Sequence, residues 1–61
     1  MADFLDISEA ANFLKVSKHL LYRLTSREAV PHHHIGARVV FDRAELEQWV
    51  RNGTSEHFHA A

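Results

Sequence analysis

Residues 8–24 read S-E-A-A-N-F-L-K-V-S-K-H-L-L-Y-R-L, and this stretch carries the signals for two helices separated by a short break. Asp6, just before it, is a favoured N-cap residue, and Glu9 follows three positions later, as a capping box requires. Ser17 is a second N-cap signal, so the first helix should end shortly before it. We therefore predict that one helix starts near Ile7 and that another starts at Ser17.

The second predicted helix has an apolar side and a polar, basic side. Leu21 and Leu24 share the apolar face, because residues three apart lie on the same side of a helix. The opposite side carries Lys18, His19, Tyr22, Arg23 and Ser26. Ser17 can cap the helix, contact a phosphate, or do both. Two helices joined by about three residues form the helix-turn-helix arrangement, whose second helix enters the major groove of DNA.

A β-hairpin is predicted after the second helix. Pro31 stops helical continuation. Residues 33–35 and 38–41 are both β-prone and flank Gly36, which predicts two short antiparallel strands. Strands this short must pack on the helices to be stable. The hairpin then forms a wing with Arg38 at its tip, where an arginine can enter a minor groove or remain an exposed turn residue.

A third helix closes the predicted domain. Asp42 and Glu45 repeat the capping-box spacing at its start. Its apolar face is expected to hold Leu46, Trp49 and Val50. The order is helix, helix, hairpin, helix, which is a mainly α fold with a small β-hairpin, a winged helix-turn-helix. We predict that this domain covers residues 1–51 and that residues 52–61 form a flexible tail.

The charge is distributed unevenly along the chain. The 61 residues have a formal net charge of −1, which alone argues against a nucleic-acid partner. However, residues 15–43 sum to +4, whereas residues 1–14 sum to −3 and residues 44–61 to −2. A basic middle segment is compatible with a DNA-binding face, and equally with charges that decorate solvated helices. The chain has no cysteine, no signal peptide and no apolar run long enough for a membrane span, so a cytoplasmic protein is expected.

Metal and enzyme chemistry are poorly supported. His32, His33 and His34 are adjacent, but neighbouring strand residues point to opposite faces, so three of them cannot converge on one ion. There is no glycine-rich phosphate loop and no cysteine nucleophile. Ser17 and His19 do not face each other on a helix, so they form no dyad. We expect no metal, no cofactor and no catalytic site.

Five short motifs follow one another along the chain. They are E-A-A in the first helix, V-S before the second, Y-R-L within it, I-G-x-R in the wing and D-x-x-E-L-x-x-W in the closing helix. With these motifs, residues 5–50 resemble the excisionase-type, MerR-like winged-helix DNA-binding domains. The resemblance implies a reader helix in the major groove and a wing on the adjacent backbone or minor groove. Such proteins act as excision factors of phages or mobile elements, or as small transcription regulators.

The chain departs from the family pattern at three positions. Lys15 stands at the interhelix turn, where the family usually has glycine, and a lysine in a left-handed turn costs about 1 kcal/mol relative to glycine. A slightly altered turn and a phosphate contact of Lys15 would each account for this departure. Arg38 is a single wing cation, whereas members of the family often have two. Leu20 occupies a position that tends to be polar in the family, and both partial burial and a partner contact would account for it.

The leading hypothesis is a small sequence-specific DNA-binding protein of the excisionase type, acting as a recombination directionality factor or transcription regulator in a bacterial or phage context. Its predicted contact residues are Ser17, Lys18, His19, Tyr22, Arg23, Ser26 and Arg38. The expected partners are double-stranded DNA, further copies of the chain bound cooperatively, and an integrase or recombinase. The alternative is a protein-interaction module of the same fold that docks a recombinase or other partner without DNA contact.

Overall fold

A computed structural model describes residues 3–53 of the chain. Its elements are β1 (Phe4–Leu5), α1 (Ile7–Leu14), α2 (Lys18–Ser26), β2 (His33–Ile35), β3 (Arg38–Asp42) and α3 (Arg43–Arg51). The predicted order of helix, helix, hairpin and helix is confirmed, and β1 is an additional strand. The tail predicted over residues 52–61 lies outside the described residues from position 54 onward. No helix within residues 3–53 is long and apolar enough to cross a bilayer.

The start of α1 is fixed by the predicted capping box. The side chain of Asp6 accepts a hydrogen bond from the amide of Glu9 at 2.8 Å, and the Asp6 amide donates to the Glu9 carboxylate at 2.9 Å. Two amides of the first turn, which a helix by itself leaves without partners, are thereby satisfied.

Removing this cap is expected to lower the stability of the whole domain. Asp6→Ala should reduce the free energy of unfolding by about 1 kcal/mol, because the amide of Glu9 loses its acceptor. Asp6→Asn is the matched control, since its amide oxygen can still accept that bond. Urea denaturation followed by circular dichroism measures both. Equal stability of Asp6→Ala and Asp6→Asn would contradict a capping role.

Both α1 and α2 end on a non-glycine residue in the left-handed region. Lys15 follows α1 with φ 62° and ψ 40°, so the left-handed turn that the family resemblance implied is present. Glu28 follows α2 with φ 58°, which was not anticipated. Each reversal lets the next amide bond back into the helix, from Val16 to Ala11 O at 3.0 Å and from Ala29 to Leu24 O at 2.8 Å. The chain therefore turns sharply after each helix without glycine at either position.

The sheet has three antiparallel strands in the order β1-β3-β2. Leu5 of β1 pairs with Phe41 of β3, so β1 is hydrogen-bonded to the longer strand of the wing. Asp3 extends this attachment to α3. Its carbonyl accepts from the Arg43 amide at 3.0 Å, and its carboxylate accepts from Arg43 Nε at 3.0 Å. Arg43 therefore has a structural role, and its guanidinium lies 5.1 Å from the ring centre of Phe13.

One core holds the helices and the sheet together. Leu21, Phe41 and Leu46 are fully buried. The other members of the buried cluster are Leu5, Ala10, Ala11, Leu24 and Val30. Ala10 and Ala11 provide the small side chains that let α1 approach its neighbours closely. Trp49 is partly buried and packs on this cluster, in line with its predicted core position.

Two expectations for α3 are wrong. Asp42 caps the helix through the amide of Ala44 at 3.0 Å, but Glu45 does not complete a capping box. Its carboxylate instead lies 2.7 Å from Nε2 of His33 on β2, because the sheet brings that ring within reach. Val50 was expected on the core face, yet 50% of it is exposed. Val50 lies one turn beyond Leu46, next to the C-terminal residue of α3, and it borders an open groove together with Phe13, Leu14, Glu47 and Arg51.

Candidate nucleic-acid interface

Helix α2 has the two-sided character that DNA reading requires. Leu21 and Leu24 are buried, which fixes the helix to the core. All five predicted contact residues on the other side are exposed, namely Lys18, His19, Tyr22, Arg23 and Ser26. Leu20 is partly buried against the core, which confirms partial burial as an explanation for an apolar residue at this position. The polar and basic side of α2 therefore stands free of the protein body.

Ser17 has a defined structural role at the start of α2. Its hydroxyl oxygen accepts a hydrogen bond from the Leu20 amide at 3.0 Å. The side chain is thus the N-cap, as the sequence predicted. It is also exposed, and its O–H remains a donor that a phosphate oxygen could accept. Both functions proposed for Ser17 are compatible with this geometry.

The wing presents Arg38 at its tip. The strands β2 and β3 are joined by Gly36 and Ala37, and the pair that flanks this loop is Ile35 with Arg38. Gly36 has φ 62°, and a positive φ at the first of two loop residues fits a type II′ turn, for which glycine is preferred. Arg38 is exposed on the strand side of this turn. Its predicted place on the wing is confirmed.

A groove lies between α2 and the wing. Tyr22 of α2, Arg38 of β3 and Ser8 in the first turn of α1 all line it. The remaining lining residues are Asp6, Ile7, Ala37 and Val39. A guanidinium, a phenolic O–H and a serine O–H are all donors suited to a phosphate oxygen. Tyr22 is 56% exposed, so it is an accessible member of this surface.

The cations fall into two groups that differ in their partners. Arg43 pairs with Asp3 at 3.0 Å, and Arg51 pairs with Glu47 at 3.6 Å. The other cations of the chain are Lys15, Lys18, Arg23, Arg27 and Arg38, and none of them forms an ion pair within residues 3–53. All five are exposed, and all belong to the interhelix turn, α2 with its end, or the wing.

The histidine run lies on two faces, as predicted. His33 contacts Glu45 and has its ring centre 6.5 Å from that of Phe4. His32 and His34 instead contact each other, with ring centres 5.3 Å apart. In the part of the chain that the structure describes, there is no group of three or more metal-ligating side chains.

Two exposed cations lie next to the predicted contact residues but are not among them. Lys15 lies in the turn before α2, and Arg27 lies at its C-terminal end. The signal that could have included them is the summed charge of residues 15–43, which counts every cation of this region. What the sequence could not show is that neither of them has an ion-pair partner in the part of the chain that the structure describes.

A tight two-helix unit, an exposed basic second helix and a wing define a winged helix-turn-helix protein. A family model described as "Helix-turn-helix domain" matches residues 4–54, and the chain belongs to this family, which includes excisionase-type domains. No curated protein and no solved structure gives a significant match. The chain is therefore a small DNA-binding helix-turn-helix protein, from a family that is typically non-enzymatic.

Proposed function

We propose that this chain is a sequence-specific binder of duplex DNA of the excisionase type, acting as a recombination directionality factor or transcription regulator. Helix α2 enters the major groove with Ser17, Lys18, His19, Tyr22, Arg23 and Ser26. The wing contacts the adjacent backbone or minor groove with Arg38. Two observations support this function: the chain belongs to a helix-turn-helix family, and all of these side chains are exposed.

The observation that carries this proposal is the partition of the cations. Away from the proposed interface, Arg43 and Arg51 each pair with a carboxylate of the same chain. Within residues 3–53, Lys18, Arg23 and Arg38 in the interface have no such partner, and neither do Lys15 and Arg27 directly beside it, so all five remain available to phosphates. A net charge of −1 is thus no obstacle, because binding depends on the local field of one face and on the release of counterions there.

Cooperative binding follows from the small size of the domain. A single module of this kind buries only about 600–1,000 Å² on DNA, which limits the affinity of one copy. We therefore propose that several copies bind side by side on repeated sites. An integrase or recombinase on neighbouring DNA is the proposed protein partner, and an adjacent integrase gene would favour excision over transcription regulation.

Binding to DNA is expected to weaken steeply with salt. Fluorescence anisotropy with duplexes selected from a random library should give a linear plot of log K against log salt, with a slope of about −3 to −5 if three to five cations contact phosphates. A scrambled duplex is the control, and it should bind at least about 10³-fold more weakly at physiological salt. A chain that binds neither duplex at 50 mM salt would contradict the proposal and support the docking-module alternative.

A further inference from the structure

The interhelix turn carries a cation whose position has no structural explanation. Lys15 is exposed, and no carboxylate within residues 3–53 pairs with it. Its backbone amide bonds to Asn12 O at 3.2 Å, so the turn uses its main chain. No hydrogen bond or ring contact of its side chain is formed in the described part of the chain. The ammonium group is therefore free for a ligand.

The surface around Lys15 is a groove whose lining side chains suit an anion. It runs along the turn between α1 and α2, and Lys15 and Lys18 both line it. The other lining residues are Ser8, Ala11, Asn12, Val16 and Ser17. No carboxylate is among them, whereas two ammonium groups, two hydroxyls and one side-chain amide can all donate hydrogen bonds. Lys18 connects this groove directly to the exposed side of α2.

The backbone conformation at Lys15 makes a lysine at this position unfavourable for the stability of the fold. Its φ of 62° and ψ of 40° lie in the left-handed region, which disfavours every side chain with a Cβ. Glycine adopts that conformation without this penalty, and asparagine tolerates it better than lysine. A lysine here consequently lowers the stability of the fold while it adds a positive charge at the entrance to α2.

We propose that Lys15 is a DNA-contact residue, which binds a backbone phosphate next to the one reached by Lys18 and so extends the interface across the interhelix turn. This inference rests on the proposed DNA-binding function. Stability and DNA affinity are opposed at this single position, because the conformation favours glycine and the contact requires a cation. The two quantities should therefore move in opposite directions when Lys15 is replaced.

The test measures both quantities on three substitutions in the full chain. Lys15→Gly should raise the melting temperature by roughly 4–8 °C, and it should weaken binding to the selected duplex about five- to tenfold at 50 mM salt. The slope of log K against log salt should become less negative by about 0.9, the value for one lost phosphate contact. Lys15→Asn should weaken binding equally with a smaller gain in melting temperature, and Lys15→Arg should bind like the parent.

Arg51→Gln is the control for net charge, because it removes one positive charge from α3 outside the interface and should leave affinity and slope unchanged. The inference is overturned if Lys15→Gly binds with the parent's affinity and slope, or if Lys15→Arg loses as much affinity as Lys15→Gly. If the parent chain binds DNA and Arg23→Ala weakens that binding, the proposed function survives either result. If the parent binds no DNA, both fall together.

Discussion

Phe41→Ala is expected to destabilise the domain by about 3–5 kcal/mol, the range for truncating a buried phenylalanine. Phe41 is fully buried in β3, the central strand of the sheet, and it pairs with Leu5 of β1. The surrounding structure relaxes only partly when a buried side chain is truncated, so a cavity remains where the ring was. A domain of this size has only about 3–5 kcal/mol in total from its core, so most molecules of the variant should be unfolded at 25 °C.

Urea denaturation followed by circular dichroism checks this expectation. Tyr22→Ala is the matched control, since it also removes an aromatic ring but from a side chain that is 56% exposed. Its free energy of unfolding should stay within about 0.5 kcal/mol of the parent, as is usual at the surface. A cooperative transition of Phe41→Ala at the parent's urea midpoint would show that β3 does not form the centre of the core.

Arg23→Ala and Arg38→Ala are expected to separate base reading from backbone contact. Arg23 is exposed on α2 without an ion pair in the described residues, so its guanidinium can reach base edges in the major groove. Its loss should weaken binding to the selected duplex by about 1–3 kcal/mol, or roughly 5- to 150-fold, and should reduce discrimination against a changed base pair. Arg38 lies on the wing, and its loss should weaken selected and scrambled duplexes about equally.

Anisotropy titrations at one fixed salt concentration measure these effects, after circular dichroism has shown that each variant is folded. Arg51→Gln serves again as the charge control, because its partner is Glu47 on the same helix. The two arginines do not belong to the interface if both variants bind like the parent. If Arg23→Ala weakens all duplexes equally, then Arg23 contacts phosphate and another residue of α2 reads the bases.

Local signals in the sequence were sufficient to locate the helices and the hairpin. The Asp6–Glu9 capping box and the Ser17 cap appear where short-range spacing placed them, and the left-handed turn at Lys15 appears where the family resemblance implied it. These features depend on residues within one turn of each other, so the chemistry of neighbouring residues decides them. The alternation of Leu21 and Leu24 with exposed polar residues separated the two sides of α2 for the same reason.

Long-range contacts account for two of the differences between the sequence reasoning and the structure. Strand β1 has two residues and no periodicity of its own, and it exists because Leu5 can pair with Phe41, 36 positions later. Glu45 had the spacing of a capping box, but it bonds to His33, which the sheet places beside it. In both cases the residue that forms the contact is distant in sequence, so no local sequence pattern could predict the contact.

By itself, the sequence determined where the helices begin, which side of α2 is apolar, and that the wing carries an arginine, because caps, period and turn residues act over a few positions. Only the tertiary structure decided that Tyr22 and Arg38 line one groove. It also decided that Arg43 and Arg51 have carboxylate partners, whereas the other five cations have none within residues 3–53. The physical reason is that a groove and an ion pair both depend on distances between separate elements, which packing around Leu21, Phe41 and Leu46 sets.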